Sequence, residues 1–453
     1  MVHNLLTRYN LFMRFATFVL IVALAAAARA QNPAQSASVA EPKSVTVPMT
    51  VDHNRAIIDV DLRLSNGTTQ RVRAWLDNGN PDLVLPQRLP AGRVSCEGQL
   101  CSTAPPVEMN IGGMTITLGG PIPGAGMNEA RVVAADHAPI ARGMSPEINL
   151  PSTVLRNYDV LIDFPGHEFT IGLPGSLKFN GVKAKVIVNA QNGLIQIPSQ
   201  IENKKYNLGL DVGSSISFLS TELFDKLSAA HPDWPHMIGA VGPANTRGDT
   251  DEIKQKLMRV DRVRYGPLFL TGVPVAIFSR EATNFFERRA GVSTAGLIGT
   301  EALLNYRIGL DYSHSVVYFD IGRTFKFPDF DVIGLILGPD DDRTKIDGTS
   351  NDPTKNDRPR DAAGFTILGV ADFDGKPSVP EAQAGDRLVS VDGTPVPGST
   401  MGQVWLMLGG APGQQRILTI ERNGKQFTVA AQVQHFLGEA PDNDESGGKS
   451  KRK

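Results

Sequence analysis

The chain has 453 residues and a formal net charge of −2 at neutral pH, with 45 Lys and Arg against 47 Asp and Glu. This length is too great for one hydrophobic core and predicts two or three domains, of which we expect three. Because charges of both signs are spread along the chain, the composition argues against a basic surface for nucleic acid.

The first thirty residues have the pattern of a secretory signal peptide. Arg8 and Arg14 precede an apolar stretch over residues 15–27, and Ala28-Arg29-Ala30 forms an A-x-A cleavage site. The apolar stretch is short for a membrane helix, which needs about 20 residues, although an uncleaved anchor stays open as an alternative. We therefore expect residues 1–30 to be removed, and the mature chain to be periplasmic or secreted with no membrane span.

Short β patterns separated by Gly and Pro dominate residues 46–327. Residues 31–45 before them are rich in Ala, Ser, Pro and Gln and predict a flexible lead-in. The clearest helical period covers Thr221–Ala230, with Ser220 or Thr221 as its N-cap. The region is therefore predicted to be mainly β.

Two Asp-x-Gly turns each follow an apolar run, at Asp77-Asn78-Gly79-Asn80 and at Asp211-Val212-Gly213-Ser214. A single Asp-x-Gly is ordinary turn chemistry, because Asp accepts local backbone bonds and Gly tolerates positive φ. Two such turns can bring two carboxylates together. A pair of this kind shares a proton and so offers an acid and a base to one water molecule.

The two turns lie in halves that are similar in sequence. Asn157–Ile171 aligns with Asn305–Phe319, and each segment predicts a β-hairpin at the end of its half. A duplicated lobe explains this similarity better than chance does. We place the first lobe at residues 46–178 and the second at residues 179–327.

Cys96 and Cys101 are the two cysteines of the chain. Exported proteins fold in an oxidising compartment, so we expect a disulfide that closes a small loop. A metal site is the alternative, but two thiols with no nearby histidine make an incomplete ligand set for zinc. We expect neither a metal nor a cofactor.

The composition changes after residue 327. Residues 339–363 are too polar to bury a core, so we predict a disordered insertion there. From residue 364 to 437 a compact α+β pattern resumes. The polar tail over residues 438–453 is also predicted to be disordered.

Three segments resemble known protein families. Asp77-x-Gly79 with Leu83-Val84-Leu85 and the two cysteines after them resembles the first lobe of pepsin-like aspartic proteases. Asp211-x-Gly213 with Gly296–Gly299 is similar to a bacterial retropepsin-type lobe, and residues 379–393 are similar to a bacterial PDZ domain. The three resemblances together cover about residues 45–437.

The resemblance implies an exported, two-lobed aspartic peptidase with β-barrel lobes and a PDZ domain at residues 328–437. In such an enzyme Asp77 and Asp211 hold the attacking water, Ser214 donates to Asp211 and Asn80 donates to Asp77. The supporting turn residues are Asn78, Gly79, Asn80, Gly213 and Ser214. The PDZ edge that takes up a polypeptide tail as an added strand is Gly334, Leu335, Ile336 and Leu337, although a strand that simply continues the second lobe is the alternative.

Two departures from the family pattern support an alternative function. Asn78 and Val212 stand where the family has Thr or Ser, whose hydroxyl bonds to the other lobe, so half of that brace is missing or replaced at Val212. The segment Glu147–Ser152 lacks the glycine that a chain threading beneath a tight turn often needs. The alternative is a catalytically inactive protease-like protein that binds peptides. The sequence leaves the oligomeric state open, including a chain whose lobes pair only in a dimer.

Overall fold

The computed structural model describes part of the chain. The described residues are 42–64, 67–85, 96–97, 100–101, 107–118, 121–122, 126–127, 132–134, 148–245, 252–322, 330–340 and 364–438. The chain divides into two compact units, Met1–Pro42 and Lys43–Lys453, and every described strand and helix belongs to the second. The predicted signal peptide and most of the predicted lead-in, insertion and tail lie outside the described residues.

The first lobe is built from strands and one short helix at Ser152–Leu155. Its strands are β1 (Ser44–Asp52), β2 (Arg55–Arg63), β3 (Thr69–Asp77), β4 (Leu83–Leu85), β5 (Cys96–Glu97), β6 (Leu100–Cys101), β7 (Val107–Ile111), β8 (Met114–Leu118), β9 (Pro121–Ile122), β10 (Gly126–Met127), β11 (Val132–Ala134), β12 (Ile148–Pro151), β13 (Asp159–Asp163) and β14 (Glu168–Gly172). Strand β1 already covers the last two residues of the predicted lead-in.

The second lobe adds the helices Thr221–Ala230 and Arg280–Ala290. Its strands are β15 (Val182–Lys185), β16 (Ile187–Val188), β17 (Ile195–Ile201), β18 (Lys204–Asp211), β19 (Ser217–Ser220), β20 (His236–Ile238), β21 (Lys256–Tyr265), β22 (Leu268–Phe278), β23 (Gly296–Gly299), β24 (Tyr306–Asp311) and β25 (Val316–Ile321). Short 3-10 turns cover Gly242–Ala244, Glu252–Lys254, Thr300–Leu303 and Tyr312–His314.

The C-terminal part contains the helix Met401–Leu408 and a separate sheet. Its strands are β26 (Asp331–Val332), β27 (Leu335–Pro339), β28 (Phe365–Val370), β29 (Asp372–Phe373), β30 (Lys376–Pro377), β31 (Arg387–Val391), β32 (Thr394–Pro395), β33 (Gln415–Arg422), β34 (Lys425–Gln432) and β35 (Gln434–His435). The order of the main sheet is β27-β28-β31-β33-β34, with β32 beside β31. The predicted disordered insertion begins too early, because Pro339 pairs with Phe365 in this sheet.

One sheet joins the two lobes. Its order is β12-β3-β2-β1-β14-β13-β24-β25-β15, so the two predicted hairpins, β13–β14 and β24–β25, lie side by side. Strand β13 runs antiparallel to β24, and Asp163 lies opposite Arg307. The Arg307 Nε donates to Asp163 Oδ2 at 2.8 Å. The lobes therefore meet within one chain rather than only in a dimer.

The protein is mainly β, as predicted, and its buried side chains form distinct cores. A large core runs through both lobes, and a second lies under the helix Met401–Leu408. A third core lies between the second lobe and the C-terminal part, where Ile216 and Val241 pack with Ile336 and Trp405. This third core positions the C-terminal part directly behind the turn that follows β18.

Candidate functional site

The two Asp-x-Gly turns are held by matching strand pairs. Strand β3 ends at Asp77 with β12 parallel to it, and β18 ends at Asp211 with β23 parallel to it. The residue after each neighbouring strand donates its N–H to the turn at 2.9 Å: Ser152 to Asn80 and Thr300 to Ser214. The local geometry of the two turns is therefore alike, and the duplication stays a prediction.

The missing glycine of the first lobe does not keep the segment Ile148–Pro151 away from its turn. At Gly299 a Cβ would overlap the Ile216 carbonyl oxygen, so the second lobe needs glycine there. In the first lobe the equivalent register position is Pro151, opposite Asp77. Asn149 lies two residues earlier in β12, and its Nδ2 donates to the Asp82 carbonyl at 2.9 Å. The lack of a glycine in this segment therefore does not prevent β12 from pairing with β3 beneath the turn.

The two aspartates face each other across the junction of the lobes. A Cβ at Gly79 would overlap the carboxyl group of Asp211, and a Cβ at Gly213 would overlap the carboxyl oxygen of Asp77. Each glycine thus makes room for the aspartate of the other lobe. Asp77 is buried and Asp211 is half-buried. The structure brings together the two residues that the sequence singled out.

The hydrogen bonds to the two carboxyl groups differ. Asp211 Oδ1 accepts from the backbone N–H of Gly213 at 2.8 Å and of Ser214 at 3.1 Å, and Gly79 also donates its N–H to Asp211. Backbone donors of this kind favour the charged form of Asp211. The predicted role of the Ser214 hydroxyl is wrong, because this hydroxyl donates to the Ile216 carbonyl at 2.7 Å.

Asp77 accepts its hydrogen bonds from amide side chains. Asn149 Nδ2 donates to Asp77 Oδ2 at 2.9 Å, and the nearby side chain of Asn80 also lowers the pKa of this carboxyl group. The predicted role of Asn80 stays a prediction. No sequence pattern indicated Asn149, because its contact with Asp77 depends on the register of β12 against β3. Asn149 is therefore a site residue that sequence reasoning missed.

The pKa of both carboxyl groups is raised. For Asp77, burial is the largest cause and the nearby negative charge of Asp211 is the next. For Asp211, burial again raises the pKa, whereas the N–H groups of the turn and the charge of Arg55 oppose this rise. A pair this close binds and releases its protons as one unit, and retains one proton where separate aspartates would have lost both.

Asn78 connects the two turns. Its Oδ1 accepts from the Val212 N–H at 2.8 Å, and its Nδ2 donates to the Leu210 carbonyl at 2.9 Å. The side chain of Asn78 is fully buried. The one amide of Asn78 therefore both accepts and donates hydrogen bonds between the lobes. The side chain of Val212 has no polar group with which to form a return hydrogen bond.

The tip of the β1–β2 hairpin lies behind the second turn. His53 and Asn54 have φ of 48° and 59°, which is the backbone of a tight two-residue hairpin turn. Asn54 Nδ2 donates to the Ser215 carbonyl at 3.2 Å, and Arg55 Nε donates to the Gly213 carbonyl at 2.8 Å. This polar tip is buried, which the sequence pattern did not indicate.

The predicted peptide-binding edge is covered by the second lobe. Gly334 precedes β27, and Leu335, Ile336 and Leu337 are all buried. Asn245 Nδ2 donates to the Leu337 carbonyl at 3.0 Å, in the place where an added strand would bind. Trp405 closes the other side, and a void of about 10 Å³ remains. The uptake of a peptide at this edge stays a prediction.

Two further predictions concern cysteines and metals. Strands β5 and β6 pair with Cys96 opposite Cys101, but the side chains of both lie outside the described part, so the disulfide stays a prediction. Within the described ranges, no group of three or more His, Cys, Asp and Glu residues could hold a metal ion. None of the described helices combines the length and apolarity that a membrane crossing needs.

Solved structures include distant neighbours of this chain. No family model matches the chain, and no curated protein matches it. The aspartic proteinase of Irpex lacteus is similar to this chain with a TM-score of 0.37 and 11% identity, over 62% of this chain and 97% of that chain. This score is too low to support a function.

Proposed function

We propose that the protein is an exported aspartic peptidase that hydrolyses peptide bonds with a water held between Asp77 and Asp211. The observation that supports this most directly is the mutual fit of the two turns, in which Gly79 and Gly213 each make room for the opposite carboxyl group. Two carboxyl groups this close cannot both carry a charge at low cost, so they share a proton. That state supplies an acid and a base to the same water.

The hydrogen bonds suggest how the two carboxyl groups divide the work. Asp211 has several backbone donors and holds the negative charge, so it takes the proton of the water. Asp77 retains the shared proton and gives it to the oxygen of the scissile carbonyl. The tetrahedral intermediate collapses when the proton on Asp211 passes to the leaving amine and Asp77 regains its own.

We propose further that the chain is secreted or periplasmic after removal of residues 1–30, and that residues 328–437 are a PDZ domain. The signal-peptide pattern supports the first point. The second is supported by a sheet whose edge strand β27 lies beside the helix Met401–Leu408. The proposed partner is a polypeptide, either a substrate or a peptide tail.

The test is a cleavage assay with purified mature protein and a diverse peptide mixture from acidic to neutral pH, read by mass spectrometry. The variants Asp77→Asn and Asp211→Asn are each expected to abolish cleavage. Asp163→Asn is the matched control, because Asp163 is also a buried interlobe aspartate but bonds Arg307 in the joining sheet. Cleavage that persists in either dyad variant removes that residue from the mechanism.

Val212 supports a second candidate, an inactive protein that binds peptides. Its apolar side chain cannot supply the return half of the interlobe brace, so the turns are held mainly from the side of Asn78. In the same assay, this candidate predicts that wild-type protein retains labelled peptides in a pull-down without cleaving them at any pH.

A further inference from the structure

We propose that Arg55 is a positioning residue of the aspartate pair: its buried guanidinium holds the second turn in place and balances the one negative charge that the pair carries. This inference rests on the proposed function for its effect on catalysis. Its effect on the charge state of the pair can be measured separately.

Arg55 bonds the peptide unit that itself bonds Asp211. Its Nε donates to the Gly213 carbonyl at 2.8 Å, and the N–H of the same peptide unit, on Ser214, donates to Asp211 Oδ1 at 3.1 Å. Hydrogen bonds in such a chain polarise one another, because each donor strengthens the next. Arg55 therefore strengthens a donor to the carboxylate through the peptide unit between them.

His53 fixes the orientation of the guanidinium. Arg55 Nη1 donates to His53 Nδ1 at 2.9 Å, and since Arg has no acceptor, this nitrogen of the ring must carry no proton. The other nitrogen, Nε2, then donates to the Gly242 carbonyl at 3.1 Å. Burial and, next in size, the positive charge of Arg55 lower the pKa of His53 to about 3, so the ring stays neutral and the charge stays on Arg55.

The charges around the pair sum to zero when it holds one proton. Arg55 is only 3% exposed, and an isolated buried cation is costly unless a nearby anion compensates it. The positive charge of Arg55 lowers the pKa of both Asp77 and Asp211.

Other titratable groups near the pair do not change this sum. Tyr265 donates its hydroxyl to the Gly209 carbonyl at 3.0 Å, and burial raises its pKa, so it stays neutral. Asp82 forms an ion pair with Arg289 at 2.6 Å, which is neutral as a whole. Asp52, at the start of the hairpin tip, accepts from the Gly402 N–H at 3.0 Å and faces the C-terminal part. Within the described part of the chain, Arg55 is therefore the cation that matches the pair.

The first test compares the pH dependence of kcat/KM for wild type, Arg55→Gln and Arg55→Lys. Loss of the positive charge raises the first pKa of the pair, so the acidic limb of the Arg55→Gln profile is expected to move up by about one pH unit. Arg55→Lys retains the charge, so its limb is expected to stay near the wild-type position while kcat falls and KM changes little. A profile of Arg55→Gln that coincides with wild type overturns the proposal.

Arg259→Gln is the matched control. Arg259 is 6% exposed and, like Arg55, donates to backbone carbonyls, those of Gly438 at 2.7 Å and Leu437 at 3.0 Å. A purely structural role for buried arginines predicts that Arg259→Gln and Arg55→Gln lower the melting temperature alike and leave the pH profile unmoved. We expect the acidic limb of the kcat/KM profile to move for Arg55→Gln and to stay in place for Arg259→Gln.

The second test does not depend on peptidase activity. Carboxyl groups of ¹³C-aspartate protein are titrated by NMR, with Asp77→Asn and Asp211→Asn used for assignment. Arg55→Gln is expected to raise the pKa of the first ionisation of the pair, and Arg55→Lys is expected to bring this pKa back to the wild-type value.

If Arg55→Gln does not fold, the Arg55→Lys substitution is compared in the wild-type and Asp211→Asn backgrounds instead. The loss of unfolding free energy caused by Arg55→Lys is expected to differ between these two backgrounds. Equal losses overturn the proposal. A wild type that cleaves no peptide refutes the proposed function while this titration still tests Arg55.

Discussion

Asn78 connects the two lobes through a single side-chain amide. A hydroxyl has one proton to donate, whereas an amide presents a carbonyl oxygen and an NH₂ group at fixed positions. Asn78 uses both, on the Val212 N–H and the Leu210 carbonyl, on either side of Asp211. The second turn is therefore positioned by a residue of the first.

Replacement of Asn78 by alanine is expected to lower the free energy of unfolding by about 2–4 kcal/mol, since it leaves a buried N–H and a buried carbonyl without this partner. Equilibrium unfolding in urea measures the change. Asn157→Ala is the control, because Asn157 bonds carbonyls of its own helical turn and joins no lobes. A loss for Asn78→Ala no greater than that for Asn157→Ala would contradict the interlobe brace.

Asp77 is expected to make the protein less stable as the pH rises. Its pKa in the folded protein is raised above that of the unfolded chain, mainly by burial. Asp77 therefore contributes to the stability of the folded protein below the unfolded pKa of about 4, and this contribution is lost as the pH rises through the folded pKa. The stability of Asp77→Asn relative to wild type is expected to increase from pH 4 to pH 8. A difference that stays constant over this range would show that the pKa of Asp77 is not raised.

At the scale of elements, the helix Arg280–Ala290 connects the second lobe to the first turn. Arg289 in its last turn forms an ion pair with Asp82, and both side chains are largely buried. Asp82 lies just after the turn that carries Asp77, and its carbonyl is bonded by Asn149. The helix therefore supports the first turn from the other lobe.

A double-mutant cycle of Arg289→Ala and Asp82→Ala is expected to give a coupling of about 1–2 kcal/mol in the free energy of unfolding, because the pair is shielded from water. The matched control is the pair Arg280 and Glu222, at 2.8 Å but mostly exposed. Its coupling is expected to stay below about 0.5 kcal/mol. Equal couplings for the two pairs would exclude a special role for Arg289.

The elements that the sequence predicts well have strong local signals. The helix Thr221–Ala230 forms as predicted, with Ser220 accepting from the Leu223 N–H as its cap. The helix Arg280–Ala290 was not predicted, because its sequence is polar and it buries few side chains. Its boundary residues did carry a signal, since Ser279 caps its start and Gly291 ends it with a φ of 73°.

The residues of the candidate site likewise fall into those that local sequence signals predict and those that they do not. Asp77 and Asp211 could be predicted because each follows an apolar strand and enters a glycine turn. Asn149 and Arg55 could not, because their contacts depend on pairings between distant segments. No periodicity in the sequence reveals that a polar hairpin tip will be buried. Long-range register is therefore what the sequence alone could not supply.

At the scale of the whole molecule, the hairpin tip links three parts of the protein. Asp52 bonds the helix Met401–Leu408, His53 bonds the Gly242 carbonyl and contacts the Trp405 ring, and Arg55 bonds the turn after β18. The joining of the C-terminal part to the lobes thus passes directly behind the aspartate pair.

His53 is expected to limit the stability of this junction in acid. Its folded pKa of about 3 lies below the unfolded value, so its contribution is present above about pH 6.5 and is lost as the pH falls toward 3. His53→Gln is expected to lose less stability than wild type between pH 6.5 and pH 3.5. Thermal unfolding across this range measures the difference, with His314→Gln as the control at an exposed ring. Parallel curves for wild type and His53→Gln would contradict a neutral buried ring.

The segment at residues 241–245 lies beside β27, where the proposed peptide tail would bind, and it is tethered there by the chain itself. Tethering of this kind gives an occupant an effective concentration that reaches the millimolar range. On the proposed function, a peptide tail would have to displace this tethered segment before it could bind, so weakly binding termini would be excluded. Because the Ser215 hydroxyl donates to the Pro243 carbonyl at 2.9 Å, displacement of residues 241–245 would also break a hydrogen bond to the turn that follows Asp211. If the proposed function is right, peptide binding beside β27 and the geometry of the turn after Asp211 would therefore be thermodynamically coupled.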